Sequence, residues 1–305
     1  TDVEVSRDSA VVRLESGEQF AADKVVLALG NFPPGDPAIP NRAALGSPRY
    51  VGNPWHRGVL DKVPRSATVF LIGTGQTTVD LALALNRRGH EGRIVAMSRR
   101  GLLPLPHRGF DAYPSFFEEI KDARKVLDIF RVVRRHVHSA ELCGKDIRSV
   151  IDSLRPDTQA LWFALPEDEK RRFVRHVFRY WEIIRSRLPP QTVTVIEAMR
   201  ASYRLEIVAG RIRDLIDTEK GLEVRYTPRG EATAKVRLTD LAINCIGPET
   251  DYRRIDHVLV RNLMRRGLIR PGPANLGIDC LQNGAILDRT GDPSSILYTL
   301  GSPMQ

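Results

Sequence analysis

The segment from Ala67 to Arg100 has the residue spacing with the clearest chemical meaning. An apolar, β-branched run ends at Ile72 and is followed at once by Gly73-Thr74-Gly75. Apolar residues then recur at helical spacing from Val79 to Leu85, and a second apolar run, Arg93–Met97, follows. The order strand, glycine turn, helix, strand is typical of the first half of a dinucleotide-binding fold.

The turn itself forms a candidate phosphate site. Gly73 permits a sharp turn at the strand end, and Gly75 has no Cβ to keep a diphosphate away from the backbone. The helix that follows offers unpaired N–H groups and partial positive charge to an anion. We therefore predict a cofactor site made of Gly73, Thr74, Gly75, Gln76, Thr77 and Thr78. The alternative is a structural turn, because Thr78 stands where the usual fingerprint has a third glycine.

The residues after the second strand indicate which dinucleotide is bound. NAD sites usually have a carboxylate there for the ribose hydroxyls, whereas NADP sites have arginine beside the 2′-phosphate. No Asp or Glu lies between Arg93 and Gly109, and the strand ends in Ser98, Arg99 and Arg100. Hydroxyl and guanidinium groups suit a phosphate in geometry and charge. The sequence thus favours NADP over NAD, although a solvated basic loop is the alternative.

Other side chains offer little catalytic chemistry. His107 follows Pro104-Leu105-Pro106 and is expected either to line the nicotinamide cleft or to pack within its loop. No nucleophile with a base and no acid/base pair of carboxylates is recognisable, and the seven histidines form no metal-ligand pair, so no metal is predicted. The three cysteines, Cys143, Cys245 and Cys280, are far apart and predict free thiols in a reducing compartment, the cytoplasm.

The net charge of +9 is concentrated in a helical middle region. Arginines such as Arg175 and Arg179 alternate there with aromatic residues, a composition that could attract nucleic acid or an anionic substrate. Without a nucleic-acid-binding motif we interpret the aromatic residues as core and the arginines as solvated or ion-paired. No run of 18 apolar residues predicts a membrane span.

Helical periodicity from Pro114 to Pro190 predicts an insertion in the nucleotide domain. Phe117–Val133 and Phe173–Ile184 each have helical spacing, Asp157 is expected to cap a helix, and Pro189-Pro190 is expected to end the region. The insertion would be a lid over a small-molecule substrate or a homodimer surface, and the sequence favours neither.

Two further regions resemble each other. Residues 1–30 and 205–247 each predict a β-meander followed by an Asp, an apolar strand and a glycine, at Gly30 and at Gly247. The two regions flank the glycine-turn domain. A protein with two nucleotide domains would have this arrangement.

These features together resemble a known family. The sequence is similar to bacterial FAD/NAD(P)-binding flavoproteins that include urate-hydroxylase-like proteins and the L-aspartate N-hydroxylating monooxygenase. The segments that carry the resemblance are Val25–Pro34, Asn53-Pro54-Trp55, Ile72–Asp80, Ser98–His107, Arg171-Arg172-Phe173, Tyr180-Trp181, Arg185-Ser186-Arg187, Asn244–Pro248 and Leu297–Gly301.

The resemblance implies an α/β fold: a Rossmann-like NAD(P)-binding domain with a helical insertion, plus part of an FAD-binding domain. Residues 1–50 and 240–305 would belong to the FAD domain and residues 51–239 to the NAD(P) domain, with FAD contacts near Asn31 and Gly301. The implied activity is an FAD- and NADPH-dependent oxidoreductase, a monooxygenase in which hydride passes to the flavin and the reduced flavin activates oxygen. A non-catalytic NADP-binding or sensing module is the alternative.

Departures from the family pattern indicate a fragment. Family members open with a strand-GxGxxG-helix for FAD, which residues 1–29 do not contain, and Ser302 stands where an acid often contacts the ribityl chain. We therefore expect a partial flavoprotein that is inactive by itself.

Overall fold

The computed structural model describes residues 1–304, apart from the side chain of Lys62. It divides into two compact units: unit 1 contains Thr1–Pro33 and the segment from Pro248 onward, and unit 2 contains Pro34–Gly247. These boundaries differ from the predicted 50/51 and 239/240. Residues 34–50 belong to unit 2 because Ile39, Ala44 and Tyr50 are buried in its core.

Thirteen strands occur in the described residues. In chain order they are β1 (Asp2–Val5), β2 (Ala10–Arg13), β3 (Gln19–Ala22), β4 (Val25–Leu27), β5 (Tyr50–Val51), β6 (Val69–Ile72), β7 (Ile94–Ser98), β8 (Leu205–Thr218), β9 (Gly221–Pro228), β10 (Lys235–Thr239), β11 (Leu241–Asn244), β12 (Ala285–Leu287) and β13 (Pro293–Thr299).

Eight α-helices occur in the same part of the chain, together with four short 3₁₀ helices. The α-helices are α1 (Gln76–Arg87), α2 (Val126–Leu142), α3 (Ile147–Asp152), α4 (Thr158–Ala164), α5 (Glu167–His176), α6 (Phe178–Arg185), α7 (Pro190–Ala201) and α8 (Val258–Arg266). None of the described helices is long and apolar enough to cross a membrane.

Unit 2 is built on a seven-stranded sheet in the order β10-β9-β8-β7-β6-β11-β5. Strands β8, β7, β6, β11 and β5 run parallel, and β8 continues into an antiparallel hairpin with β9. In β6, Val69 and Leu71 face a core that includes residues of α1 and α7, while Phe70 and Ile72 face a second core. Both faces are covered, which explains why β6 is apolar at every position.

Strand β11 corrects one prediction. Residues from 240 onward were expected to return to the second domain, but β11 lies between β6 and β5, with Ala242 opposite Phe70 and Tyr50. Ala242, Ile243 and Asn244 are fully buried in this position. The strand therefore belongs to the interior of the unit 2 sheet, and the chain enters unit 1 only at Pro248.

Unit 1 has two three-stranded sheets. Strands β1, β2 and β3 form the expected antiparallel meander, and β4 pairs in parallel with β13, which β12 flanks on its other side. Strand β4 thus belongs to a different sheet from β6. Helix α8 packs against β1 because its buried residues Leu259, Val260 and Leu263 form one face at helical spacing.

The helical insertion of unit 2, residues 114–190, contains α2 to α6. It has a core of its own that includes Phe116, Ile120 and Leu154. The Arg187 guanidinium, with a side chain only 5% exposed, binds the Asp152 carboxylate at 2.6 Å. Buried Glu169 accepts a hydrogen bond from the first amide of α2, Val126 N, at 2.8 Å. Buried polar groups therefore fix the insertion.

Two predicted helix boundaries in the insertion are wrong. The periodic run Phe173–Ile184 is two helices, α5 and α6, which meet at Val177, where φ departs from the helical value to −110°. Pro189-Pro190 was expected to end the helical region, yet Pro190 is the first residue of α7. Proline suits this first position, since the amide it lacks would have no partner there. Asp157 precedes α4 as expected, but its side chain makes no capping hydrogen bond.

Candidate functional site

The glycine turn joins β6 to α1 as the sequence predicts. Gly73 has a φ of +134°, and a methyl group on it would lie 2.4 Å from the carbonyl oxygen of Cys245, directly after β11. No side chain fits between these two backbone segments. Gly75 is the N-cap of α1, and the first hydrogen bond of the helix runs from Val79 N to Gly75 O at 3.3 Å. The amides before Val79 have no acceptor within the helix.

Thr74 and Ser98 are joined inside the turn. Thr74 is 1% exposed, and its hydroxyl donates to Leu102 O at 2.7 Å and lies 2.8 Å from Ser98 Oγ. Because the single Thr74 proton goes to Leu102, the Ser98 hydroxyl must be the donor in their shared bond. Ser98 Oγ also accepts from Gly101 N at 3.0 Å. Ser98 therefore shapes the loop after β7. To donate to a phosphate as predicted, its hydroxyl would have to give up its hydrogen bond to Thr74.

Arg99 and Arg100 follow β7, and neither forms an ion pair with any described residue. Arg99 is exposed. The Arg100 guanidinium lies 4.5 Å from the ring centroid of Tyr180, in α6. This cation–π contact orients Arg100 without neutralising its charge. The two predicted phosphate ligands are thus free cations at the end of the strand that follows the nucleotide helix.

The remaining residues of the predicted turn have different roles. Gln76 Nε2 donates to Ser186 O, at the end of α6, at 3.1 Å. Thr77 is half-buried. Thr78 is buried with no well-formed hydrogen bond to its hydroxyl. Burial raises the pKa of the neighbouring Cys245 thiol to about 12, and the Thr78 hydroxyl opposes this only weakly.

The sequence interpretation missed Arg179. From α6 its Nη2 donates to Thr74 O at 3.1 Å, to Thr74 Oγ1 at 3.2 Å and to Leu102 O at 2.8 Å. Its Nη1 binds Glu182 Oε2 at 2.6 Å and lies 3.8 Å from where a Cβ on Gly75 would be. In the sequence Arg179 is one arginine among many in a basic helical region, and no local pattern distinguishes it.

His107 contacts the insertion but not the turn. Its backbone amide donates to Leu188 O at 2.7 Å, beside a short parallel bridge between Pro106 and Leu188. Its side chain is exposed and forms no hydrogen bond with the described residues. Next to it, the loop Leu103–Pro106 and helix α7 line a mainly apolar cavity of about 190 Å³. The predicted role of His107 in a nicotinamide cleft remains a prediction.

In unit 1, β4 and β13 end side by side. Leu27 pairs with Thr299, and Gly30 and Gly301 follow with φ of +66° and +75°. Asn31 and Gly301 are exposed. The adjacent cavity, lined by Asn31 and Ser302 among others, is about 10 Å³, room for a single water. The described residues therefore place two strand ends side by side, and the cavity beside them is too small to enclose a flavin.

No group of three or more His, Cys, Asp or Glu side chains within residues 1–304 could hold a metal ion. The three cysteines are free, and Cys245 and Cys280 are buried while Cys143 is exposed.

No family model and no curated protein matches the sequence. Solved structures do match. The ornithine N-hydroxylase KtzI from Kutzneria sp. 744 has a TM-score of 0.55 at 13% identity over 99% of this chain and 66% of its own. DfoA, the cadaverine monooxygenase from Erwinia amylovora, has 0.52 at 15% identity over 99% and 61%. Thioredoxin reductase from Lactococcus lactis has 0.51 at 12% identity over 100% and 65%.

These comparisons confirm the predicted fold class, an α/β chain with a Rossmann-like domain like those of the solved flavoproteins. The chain spans roughly three fifths to two thirds of the length of these structures.

Proposed function

We propose that unit 2 binds NADP(H), and that the chain is part of an FAD- and NADPH-dependent oxidoreductase, a flavin monooxygenase. The observation that carries the proposal is the glycine turn between β6 and α1, with the unpaired Arg99 and Arg100 at the end of β7. A dinucleotide on such a turn has its diphosphate at the helix N-terminus and its adenosine ribose beside the following strand end.

The residues of unit 2 fit this ligand. Gly73 and Gly75 bring the backbone close to the diphosphate, and the first amides of α1 donate to it. Arg99 and Arg100 bind the 2′-phosphate, since a guanidinium forms charge-assisted hydrogen bonds with phosphate oxygens. Thr74 and Ser98 hold the loop that carries both arginines.

The oxidoreductase part of the proposal rests on several further observations. The structures of similar fold include KtzI with reduced FAD, NADP⁺ and L-ornithine, and DfoA with FAD. When bound, NADPH supplies a hydride to FAD and the reduced flavin activates oxygen for attack on a small substrate. In unit 1 the strand ends at Asn31 and Gly301 would lie at the flavin. The free cysteines support a reducing compartment, the cytoplasm.

The helical insertion is proposed as a lid over the nucleotide rather than a dimer surface. Gln76 and Ser186, Thr74 and Arg179, and Arg100 and Tyr180 each join the nucleotide turn or its loop to α6 or its end. Three contacts of this kind favour a role at the site.

Calorimetric titration with NADP⁺ and NAD⁺ tests the nucleotide site. Arg99→Ala removes a charge-assisted contact of about 1.5–3 kcal/mol and should weaken NADP⁺ binding by roughly ten- to a hundredfold, with little effect on NAD⁺. Arg108→Ala is the matched control, because Arg108 is also exposed and the change in net charge is the same.

Equal losses for NADP⁺ and NAD⁺ in Arg99→Ala would mean that Arg99 contacts a part common to both, and the NADP preference would be wrong. If the unmodified chain binds neither nucleotide, the proposed site fails. Tight binding of NADPH without reduction of bound FAD, in a protein that includes a complete FAD-binding domain, would favour the non-catalytic sensing module.

A further inference from the structure

Arg179 is the residue of the helical insertion that comes closest to the nucleotide turn. Its guanidinium is held by three acceptors, Thr74 O, Thr74 Oγ1 and Leu102 O, all on its Nη2 side. These bonds fix the position of the group without neutralising it. A fixed cation at a phosphate site needs little reorganisation on binding.

The other nitrogen of the guanidinium lies over Gly75. A Cβ built on Gly75 would be 3.8 Å from Arg179 Nη1, in ordinary contact. Gly75 is the N-cap of α1, the point at which the backbone lets a diphosphate approach the helix. Nη1 has two N–H groups, of which Glu182 uses one.

Glu182 acts as the counterion of Arg179. Its Oε2 lies 2.6 Å from Nη1, one helical turn further along α6, and its side chain is 40% exposed. An exposed ion pair of this type is weak. The dinucleotide diphosphate carries two negative charges against one on the carboxylate, so it can replace or share this contact at small cost.

We propose that Arg179, supplied by the helical insertion, is a ligand of the dinucleotide diphosphate, with Glu182 as the counterion that occupies Nη1 until the nucleotide binds. This inference rests on the proposed function. Arg179 then contacts the part that NAD and NADP share, whereas Arg99 and Arg100 contact the 2′-phosphate. Nucleotide binding also stabilises the insertion against the turn, because the same guanidinium bonds both.

The test uses calorimetric titration of the whole chain with NADP⁺, NAD⁺ and adenosine 2′-monophosphate, which has the 2′-phosphate but no diphosphate. Arg179→Ala should weaken NADP⁺ and NAD⁺ about equally, by roughly tenfold or more for a lost charge-assisted contact. Binding of adenosine 2′-monophosphate should stay within about twofold, which shows that the loop at Ser98–Leu102 is intact. Arg175→Ala is the control, an exposed arginine on α5 that leaves the turn untouched.

A second variant is expected to act in the opposite direction. Glu182→Gln removes the competing carboxylate and should tighten NADP⁺ and NAD⁺ by about two- to fivefold, the scale of an exposed ion pair. A variant that only damages the fold does not gain affinity.

The outcomes separate this inference from the proposed function. Nucleotide binding by the unmodified chain with no loss in Arg179→Ala, or with a gain, overturns the role of Arg179 and leaves the site in place. A parallel loss of adenosine 2′-monophosphate binding means that Arg179 only holds the loop, which also overturns the proposal. If the unmodified chain binds no dinucleotide, the proposed function and this inference fail together.

Discussion

The molecule uses glycines at strand ends in two different ways. At Gly73 the backbone is crowded, because a methyl group would meet Cys245 O at 2.4 Å. At Gly30 and Gly301 the chain also has positive φ, yet nothing lies within 4 Å of where a Cβ would be. The first glycine is needed for close approach and the other two only for their backbone conformation. Gly73 thus lies in a crowded turn, and Gly30 and Gly301 lie at open strand ends.

The largest expected effect is that of Gly73→Ala at the crowded turn. The substituted residue must adopt a φ near +134° and also displace the backbone at Cys245, so the free energy of unfolding of unit 2 should fall by at least about 3 kcal/mol. Urea unfolding followed by tryptophan fluorescence measures this, since Trp55, Trp162 and Trp181 all lie in unit 2. A loss below about 1 kcal/mol would show that β11 can move away from β6.

The second effect concerns the helical insertion, whose residue Arg179 donates a hydrogen bond to Thr74 in the crowded turn. Burial would raise the pKa of Asp152, but hydrogen bonds from Arg187 and Arg155 outweigh it and hold the pKa below its usual value. The carboxylate thus stabilises the insertion above the pKa of the unfolded state, about 4, and this contribution is lost as the pH falls through the lower folded pKa.

Acid unfolding tests this ion pair. We expect the stability of the insertion to decrease as the pH falls below about 4, and Asp152→Asn to remove that pH dependence. The variant should also destabilise the insertion by about 3 kcal/mol at neutral pH, because Arg187 is left buried without its partner. The fluorescence of Trp162 and Trp181, both in the insertion, measures its unfolding. If Asp152→Asn loses stability at low pH just as the unmodified chain does, other carboxylates cause the pH dependence. Glu197→Gln is the control, because it removes an exposed ion pair on α7.

The third effect concerns the open strand ends. Gly301→Ala and Gly30→Ala should each cost only about 1–2 kcal/mol, the price of a left-handed conformation for an L-residue. Unit 1 contains no tryptophan. Amide hydrogen exchange at β4 and β13 is therefore the measurement, and a cost similar to that of Gly73→Ala would show that the two kinds of strand end do not differ.

The smallest effect is expected from Thr78→Val, at the start of α1 beside the crowded turn. The Thr78 hydroxyl is buried without a well-formed hydrogen bond, and valine has nearly the same shape. Removing the hydroxyl should stabilise unit 2 by up to about 1 kcal/mol, because its desolvation is not compensated in the folded state. Destabilisation in urea unfolding would instead identify a bond to Cys245 that matters.

The crowded turn could be predicted from the sequence because its signals are local. The apolar run that ends at Ile72, the two glycines and the helical spacing from Val79 all lie within one strand–helix unit. Arg99 could be identified because it comes directly after the next strand, β7. Position in a sheet is a different problem. Leu241–Asn244 has a buried-strand composition that would suit either unit, and only long-range pairing with Val69–Ile72 decides it.

Arg179 shows the same limit at the level of one side chain. It binds Thr74, 105 residues earlier in the chain. No periodicity or capping rule relates these two positions, so the charge was interpreted as part of a solvated basic surface. The prediction that Pro190 ends the helical region was wrong for a different reason. Proline can end one helix or start the next, and only the packing of α7 on α1 decides between these two roles.

The positions of the three cysteines allow the insertion to be labelled at a single site without any substitution. Cys143 is exposed directly after α2, while burial raises the pKa values of Cys245 and Cys280 and suppresses their thiolate forms. A maleimide dye should therefore attach to Cys143 alone. A fluorophore at that one point would follow the insertion in real time, in the unaltered chain, as dinucleotide is added.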